Sequence, residues 1–242
     1  MRANVNQPGP MNTVHLREAN VVTGLMTLES SRLAPTLRAN PGVISITPSS
    51  DAERHHVAVF IEERYRISYG AAIHVEYPNL ISLRDGRGRV VAAAGFRFAD
   101  LGPLFLEQYT KRPIDALLGV HRREIVEIGN LAAYGGASLV LFAALASYLE
   151  RIGIARAVVT STDTLERRLV RLGLEAERVC AADPARIGDM GKVWGSYYRH
   201  RPHVLAGDIG AACDRLREMF GAGFFQHRPR LFPRWHFAGE DA

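Results

Sequence analysis

The residue pattern best suited to chemistry is a predicted strand that runs through a pair of glycines into an apolar helix. The strand covers residues 125–132, and Gly135 and Gly136 open a helix predicted over residues 137–152. Glycines let the backbone approach a ligand closely, and a helix start presents unpaired N–H groups and a positive dipole end. Pyrophosphate is the natural ligand of such a turn, although a pair of glycines also serves a tight turn that binds nothing.

Other common sites are missing from the sequence. It contains neither GxGxxG nor GxxxxGK[ST], so it supports neither a Rossmann dinucleotide site nor a P-loop. Cys180 and Cys213 form no CxxC pair, and the histidines are not clustered at the spacing of metal ligands. We therefore predict no metal site and no disulfide.

The surrounding elements predict an α+β fold with a mixed central sheet flanked by helices. Strands that precede helices favour parallel pairing, whereas a glycine-containing hairpin adds antiparallel strands. We predict helices over residues 50–70, 137–152, 164–172 and 209–220. We predict strands over residues 44–47, 80–84, 90–98, 125–132, 155–161 and 177–182, and interpret the aromatic segment 192–199 as a further strand.

Charge and composition limit the partners. The formal net charge is +5 and the isoelectric point about 9.5, which suits a phosphorylated cofactor, an acidic carrier protein or an anionic membrane surface. No nucleic-acid-binding signature is present, so we expect no nucleic acid partner. The sequence has no apolar run of about 18 residues and no secretory signal, and a cytoplasmic location is the default expectation.

Several separate stretches resemble the thermostable hemolysin family and occur in the same order. They are FLEQYTKRPIDALL, IVEIGNLAAYGGAS, SYLERIGIARAVVTSTDTLERRLVRLGLE, ADPARI and WGSYYRHRPHVLAGDI, within roughly residues 50–215. The domain of that family is similar to the folds of GNAT-type acyl-CoA N-acyltransferases and acyl-homoserine-lactone synthases. The resemblance implies a GNAT-like domain over residues 41–221. The residues on either side predict a partly disordered N-terminal extension (1–40) and a basic aromatic C-terminal extension (222–242).

The resemblance also implies where a donor would bind. In those folds the strand that matches residues 125–132 pairs with the pantetheine arm, and the next loop cradles the pyrophosphate. The implied contacts are Ile128, Gly129, Asn130, Leu131, Ala132, Tyr134, Gly135, Gly136, Ala137 and Ser138. The usual Gln/Arg-x-x-Gly-x-Gly/Ala signature is not matched, which leaves acyl-CoA, an acyl-carrier protein or neither as the donor. Such a thioester would be a co-substrate, with no permanently bound cofactor.

Acyl transfer to an amine requires a base, a donor for the thioester oxyanion and an acid for the leaving thiolate. Glu127, beside the implied thioester, is the candidate base, directly or through water, unless it only anchors an arginine. Tyr197 is the candidate acid by analogy with late GNAT tyrosines, and Tyr198 is a second, with aromatic packing as the alternative. Asn130 breaks the strand alternation and could mark a bulge.

Three further residues complete the candidate site. Glu107 and Tyr109 lie in the loop before the strand and are candidates for substrate binding, unless they belong to an ordinary surface loop. Arg168, with Arg167 and Arg171 on the same predicted helix, could contact a CoA 3′-phosphate or an acidic carrier protein. A solvated helix face is the alternative.

The leading hypothesis is N-acyl transfer from an acyl thioester to a small amine or amino-acid acceptor. One alternative is a membrane-active protein of the hemolysin type, in which the tail FFQHRPRLFPRWHF contacts an anionic membrane surface. The tail could equally pack on the body or on a second subunit, in a homodimer. Another alternative is a non-catalytic GNAT-like module that binds a thioester or a partner.

Overall fold

The computed structural model describes residues 11–18, 21–29, 41–220 and 225–226. The strands are β1 (Met11–Glu18), β2 (Val21–Glu29), β3 (Pro41–Pro48), β4 (Asn79–Asp85), β5 (Val90–Phe98), β6 (Ile125–Ala133), β7 (Arg156–Ser161), β8 (Ala176–Ala181), β9 (His203–Asp208) and β10 (Phe225–Gln226). The helices are α1 (Arg54–Tyr69), α2 (Ile114–Leu118), α3 (Ala137–Arg151), α4 (Asp163–Arg171) and α5 (Ile209–Phe220).

The described strands form one mixed sheet. Their order is β10-β2-β1-β3-β4-β5-β6-β7-β9-β8. The β1–β3 and β6–β7 pairs are parallel, and the other neighbours are antiparallel. The mixed sheet with flanking helices that the sequence predicted is therefore present.

The sheet is covered on both faces. On one face, α3 and α5 pack on the inward side chains of β5 and β6, such as Phe96 and Val126. Most residues of α3 are buried, as expected for a helix that is apolar around most of its circumference. On the other face, α1 packs through Val57 and Ile61. Within the described residues, no helix is long and apolar enough to cross a bilayer.

The sheet begins before residue 41, in contrast to the predicted domain boundary. β1 and β2 lie inside the segment that we expected to be a partly disordered extension, and β1 pairs in parallel with β3. The available signal for these strands was the alternation of apolar residues, which places them on one face of a strand. Val14, Leu16, Met26 and Leu28 follow this alternation, and all four are buried. The rest of residues 1–40 lies outside the described part of the chain.

The predicted strand over residues 192–199 is wrong. That segment belongs to two 3₁₀ stretches, Pro184–Trp194 and Tyr197–His200. Gly188 and Gly195 have positive φ angles of 55° and 56°, so the backbone turns there instead of extending. The strand that fills this place in the sheet is β9. Of the predicted C-terminal extension, only the two residues of β10 are described, and they pair with β2.

Candidate functional site

Strands β6 and β7 pair over four residues and then separate. Their register runs from Ile125 opposite Arg156 to Ile128 opposite Val159. On its other edge, β6 stays paired with β5 as far as Ala133. Beyond Ile128, no described strand therefore pairs with the β7-facing edge of β6, and a gap opens between two neighbouring strands of the sheet.

A β-bulge lies where the strands separate. Asn130 and Leu131 of β6 face the single residue Ala94 of β5, and Asn130 has a φ of 52°. Asparagine is one of the few residues that tolerate this left-handed conformation. A bulge bends its strand and increases the twist, which accounts for the divergence of β6 from β7. The predicted bulge at Asn130 is confirmed.

The loop after β6 leads directly into α3. Gly135 has a φ of 55°, with open space around its Cα, so the backbone conformation and not crowding calls for glycine. Gly136 is the N-cap of α3. Ala137 and Ser138 are each 3% exposed, whereas Tyr134 and Gly135 are exposed, so the accessible part of this turn comes before the helix.

Two arginines flank this loop. Arg168 of α4 donates a hydrogen bond to the Gly135 carbonyl oxygen at 3.3 Å. Arg64 of α1 lies over the ring of Tyr134, 4.5 Å from the centroid, and Tyr134 is half exposed. The structure thus brings the predicted Arg168 to the predicted loop and adds a second cation that the sequence did not indicate.

Glu127 is a buried carboxylate on β6. It is 1% exposed, and its two oxygens accept hydrogen bonds from the backbone N–H groups of Phe105 and Leu106, each at 2.9 Å. Burial raises the pKa of Glu127 above its ordinary value, and those N–H groups and the positive charge of Arg97 partly offset that rise. Instead of only anchoring an arginine, this carboxylate anchors the backbone of the preceding loop.

Tyr77 faces Glu127 and was not identified from the sequence. Its ring packs over Gly95 of β5 and Gly129 of β6, which are opposite each other in the sheet. A Cβ on Gly95 would lie 2.5 Å from the Tyr77 ring, and one on Gly129 would overlap the hydroxyl oxygen. Burial and the nearby Glu127 carboxylate raise the Tyr77 pKa well above its ordinary value. Paired glycines in adjacent strands were the available signal, because they mark a close approach.

Tyr197 lies near the point where β6 and β7 separate. Its hydroxyl donates to the carbonyl oxygen of Thr160 at 3.1 Å, one residue beyond Val159. It is 6% exposed and packs on Tyr65 and Trp194, and burial raises its pKa well above the usual value. Packing accounts for its position, and the role of acid stays a prediction.

Glu107 and Tyr109 are engaged in contacts within the protein. Glu107 pairs with Arg122 at 2.7 Å and accepts the N–H groups of Leu104 and Ile114. Burial opposes ionisation, but these partners together bring the Glu107 pKa below its ordinary value. The Tyr109 side chain is buried, and its hydroxyl bonds that of Tyr198 at 2.6 Å. Both residues hold the loop beneath the site, and substrate binding by either stays a prediction.

One group in the described part of the chain has the residue types of a metal site. Ligand atoms of Asp163, Glu166 and His203 lie within 4.8 Å of one another. Both carboxylates are already paired, since Arg178 binds Glu166 at 2.7 Å and Arg201 binds Asp163 at 2.8 Å. Two guanidinium groups balance the two carboxylates, which leaves little attraction for a cation.

The fold is similar to several solved structures. The AHL synthase LasI superposes with a TM-score of 0.52 at 15% identity, covering 76% of this chain and 97% of that one. FeeM, an N-acyl amino acid synthase from uncultured soil microbes, gives 0.51 at 16%, covering 75% and 98%. TofI in an apo form gives 0.50 at 17%, covering 72% and 95%. These likenesses confirm the predicted α+β acyltransferase-type fold.

Sequence comparison gives the family. No curated protein matches the chain. The family model described as thermostable hemolysin matches residues 47–213, which is more than half of the sequence and agrees with the stretch that carries the resemblance. The chain therefore belongs to the thermostable hemolysin family.

Proposed function

We propose that the protein transfers an acyl group from an acyl thioester to the amine of a small acceptor, such as an amino acid. The observation that carries this proposal is the separation of β6 from β7 after Ile128. A strand edge without a partner strand offers N–H and C=O groups that require hydrogen bonds. The amides of a pantetheine arm have the matching groups and could pair with β6 as an added strand would.

The far end of a CoA donor would reach the loop at Gly135 and Gly136. The N-terminus of α3 supplies N–H groups and a positive dipole end for a pyrophosphate. Arg168 and Arg64 supply positive charge on either side of that loop. In this arrangement Ile128, Gly129, Asn130, Leu131 and Ala132 line the pantetheine, and Tyr134, Gly135, Gly136, Ala137 and Ser138 line the phosphates.

The reaction joins the acceptor nitrogen to the acyl carbon and breaks the carbon–sulfur bond. Glu127 accepts the proton that the amine loses, because its raised pKa brings it closer to neutral pH than an ordinary carboxylate. Tyr197, whose hydroxyl contacts Thr160 near the end of β7, is the candidate donor of a proton to the departing thiolate.

Two similar folds support an acceptor of this class. LasI is named an AHL synthase and FeeM an N-acyl amino acid synthase. The name of FeeM specifies an acylated amino acid as the product. A small amine such as an amino acid is therefore the first acceptor to test with this chain.

The test is to incubate the purified protein with acyl-CoA of several chain lengths, or with acyl-carrier protein, and a panel of amino acids and small amines. We expect release of free thiol together with an acylated amine detected by mass spectrometry, and loss of both with Glu127→Gln. Failure to bind any thioester by calorimetry, with no product, would contradict the proposal. Binding without turnover would indicate a non-catalytic module, and liposome leakage that survives Glu127→Gln would indicate membrane activity.

A further inference from the structure

We propose that Tyr77 is a further catalytic residue, whose hydroxyl accepts a hydrogen bond from the acceptor amine and passes a proton to Glu127. This inference rests on the proposed function. Access to Glu127 is restricted, because it is 1% exposed and accepts one backbone N–H on each oxygen. An acceptor amine therefore needs a group between itself and the carboxylate.

Tyr77 has the position for this task. Its half-buried side chain crosses Gly95 and Gly129, and its hydroxyl oxygen lies over Gly129. Gly129 is the first residue of β6 after its last pair with β7. The hydroxyl therefore lies where the gap opens, between the proposed thioester and the Glu127 carboxylate.

The direction of the hydrogen bonds fits an amine. A tyrosine hydroxyl has one proton to donate and lone pairs that accept. Because an ionised carboxylate only accepts, the Tyr77 hydroxyl, which lies over Gly129 on the Glu127 face of β6, would direct its proton towards Glu127. Its lone pairs remain for a donor on the substrate side, and an amine N–H is such a donor.

The other tyrosine hydroxyls with partners near the site are engaged elsewhere. Tyr197 donates to the Thr160 carbonyl, and the hydroxyls of Tyr109 and Tyr198 bond each other. The Tyr77 hydroxyl instead lies over Gly129, two residues along β6 from Glu127 and on the same face of the sheet.

The backbone around Tyr77 is held from two sides. Arg54, the first residue of α1, donates to the carbonyl oxygens of Tyr77 and of Pro78, the latter at 3.3 Å. Arg97 of β5 donates to the Glu76 carbonyl, and its guanidinium lies 5.6 Å from the Tyr77 ring centroid. Such contacts fix the hydroxyl before a substrate arrives, which is what positioned proton transfer requires.

Each bond formed in the transfer is matched by one that breaks. A neutral amine attacks the thioester carbonyl carbon and forms the C–N bond, while its N–H proton moves to the Tyr77 oxygen and the Tyr77 proton moves to Glu127. The C–S bond then breaks. Tyr197 donates a proton to the thiolate, and Glu127 releases its proton to solvent as solvent reprotonates Tyr197, which leaves amide, thiol and the original carboxylate.

The test compares Tyr77→Phe with Tyr69→Phe. Phenylalanine at residue 77 keeps the ring over Gly95 and Gly129 and removes only the hydroxyl. We expect kcat to fall roughly 100-fold, within the range of general acid–base catalysis, with the Kd of the thioester within twofold of wild type. Tyr69→Phe removes a hydroxyl at the end of α1, outside the Glu127 cluster, and should leave kcat within twofold.

The pH profile distinguishes a relay from a packing role. Among the described residues, Arg97, Tyr77 and Tyr109 are the titratable side chains that interact with Glu127, and the Tyr77 hydroxyl lowers the Glu127 pKa. In Tyr77→Phe the acid limb of the residual activity should therefore move to higher pH. If the wild type is active, but the kcat of Tyr77→Phe is within threefold of it and the acid limb of the pH profile does not move, this inference is contradicted and the proposed function is not. A wild type inactive with every donor would contradict the proposed function as well.

Discussion

Glu127 combines a structural and a chemical role in one side chain. A buried carboxylate is unfavourable unless hydrogen bonds satisfy it, and the N–H groups of Phe105 and Leu106 do so. The same two bonds fix the loop before β6 against the sheet. Because burial still raises the Glu127 pKa, the group keeps a stronger affinity for a proton than a solvated glutamate has.

Glu127→Gln should separate these roles. The amide keeps one acceptor oxygen for an N–H but turns an NH₂ group towards the other, so we expect unfolding free energy to fall by about 1–3 kcal/mol. Turnover should fall at least 100-fold. Urea denaturation and the acylation assay measure the two effects, and a variant that keeps wild-type turnover would exclude Glu127 as the base.

The pH dependence of this difference has a definite sign. The folded-state pKa of Glu127 is raised, so the folded protein binds a proton more tightly than the unfolded chain. Its contribution to stability is therefore complete below the ordinary glutamate pKa and is lost as pH rises through the folded value. The stability gap between wild type and Glu127→Gln should narrow as pH rises across that window, and a gap that widens would contradict the assignment.

Gly129 tests the contact with Tyr77. Gly129→Ala would place a Cβ on the Tyr77 hydroxyl, so the ring must move, and we expect a loss of about 1–3 kcal/mol in stability from overpacking. Turnover should fall as well, because the Tyr77 hydroxyl is displaced. Gly86→Ala is the matched control, because a Cβ there meets open space and the φ angle needs no glycine. Thermal unfolding of the two variants side by side decides the point, and equal melting temperatures would contradict the contact.

At the scale of the elements, the bulge in β6 separates two strands that otherwise pair in parallel. Asn130→Val places a β-branched residue in the left-handed region, at a cost of about 1–3 kcal/mol. We expect the backbone of this variant to leave the left-handed conformation and alter the bulge, which lowers stability and weakens thioester binding. Asn130→Gly should keep both properties, and calorimetry with acyl-CoA would show it. If Asn130→Val bound the thioester as tightly as Asn130→Gly, the bulge would not shape the donor site.

Helix α4 contributes a positive charge to the loop that starts α3. Arg168→Glu should weaken acyl-CoA binding on the order of tenfold, which corresponds to about 1.4 kcal/mol, and more strongly at low salt. The control is Arg151→Glu, because Arg151 is exposed at the last residue of α3, roughly 20 Å along that helix from its start. Equal effects of the two variants would indicate only a general charge effect.

At the scale of the whole molecule, local patterns predicted the fold and long-range contacts did not follow from them. Helix α5 begins at Ile209 and ends at Phe220 as predicted, and Thr162 caps α4 by accepting the N–H of Leu165. These features depend on neighbouring residues. The contact of Tyr77 with Gly129 joins distant parts of the chain, so no periodicity could indicate it.

The same distinction explains the misplaced domain boundary. β1 and β2 show alternating apolar residues, but their place in the sheet depends on long-range pairing, of β1 with β3 and of β2 with β1. The wrong prediction of a strand over residues 192–199 has the opposite cause. The aromatic side chains there favour a strand locally, but Gly188 and Gly195 turn the backbone into 3₁₀ stretches.

Two truncations should therefore differ in effect. Removing residues 1–29 takes away Val14, Leu16, Met26 and Leu28, all buried in the main core. At about 1.5–3 kcal/mol each, their burial amounts to roughly 6–12 kcal/mol, which is comparable to the whole stability of a typical domain. We expect this variant to be unfolded or aggregated, as judged by circular dichroism and size-exclusion chromatography.

Removing residues 221–242 should be mild by comparison. Within the described part of the chain this deletion takes only β10, which contributes two residue pairs to the edge strand β2. The proposed donor site at β6, α3 and α4 lies in the middle of the sheet order, far from that edge. We expect the truncated protein to remain folded and to keep its acylation kcat within about threefold, the margin of a small change in barrier. Loss of turnover in a folded truncation would instead assign the C-terminal segment to the active site.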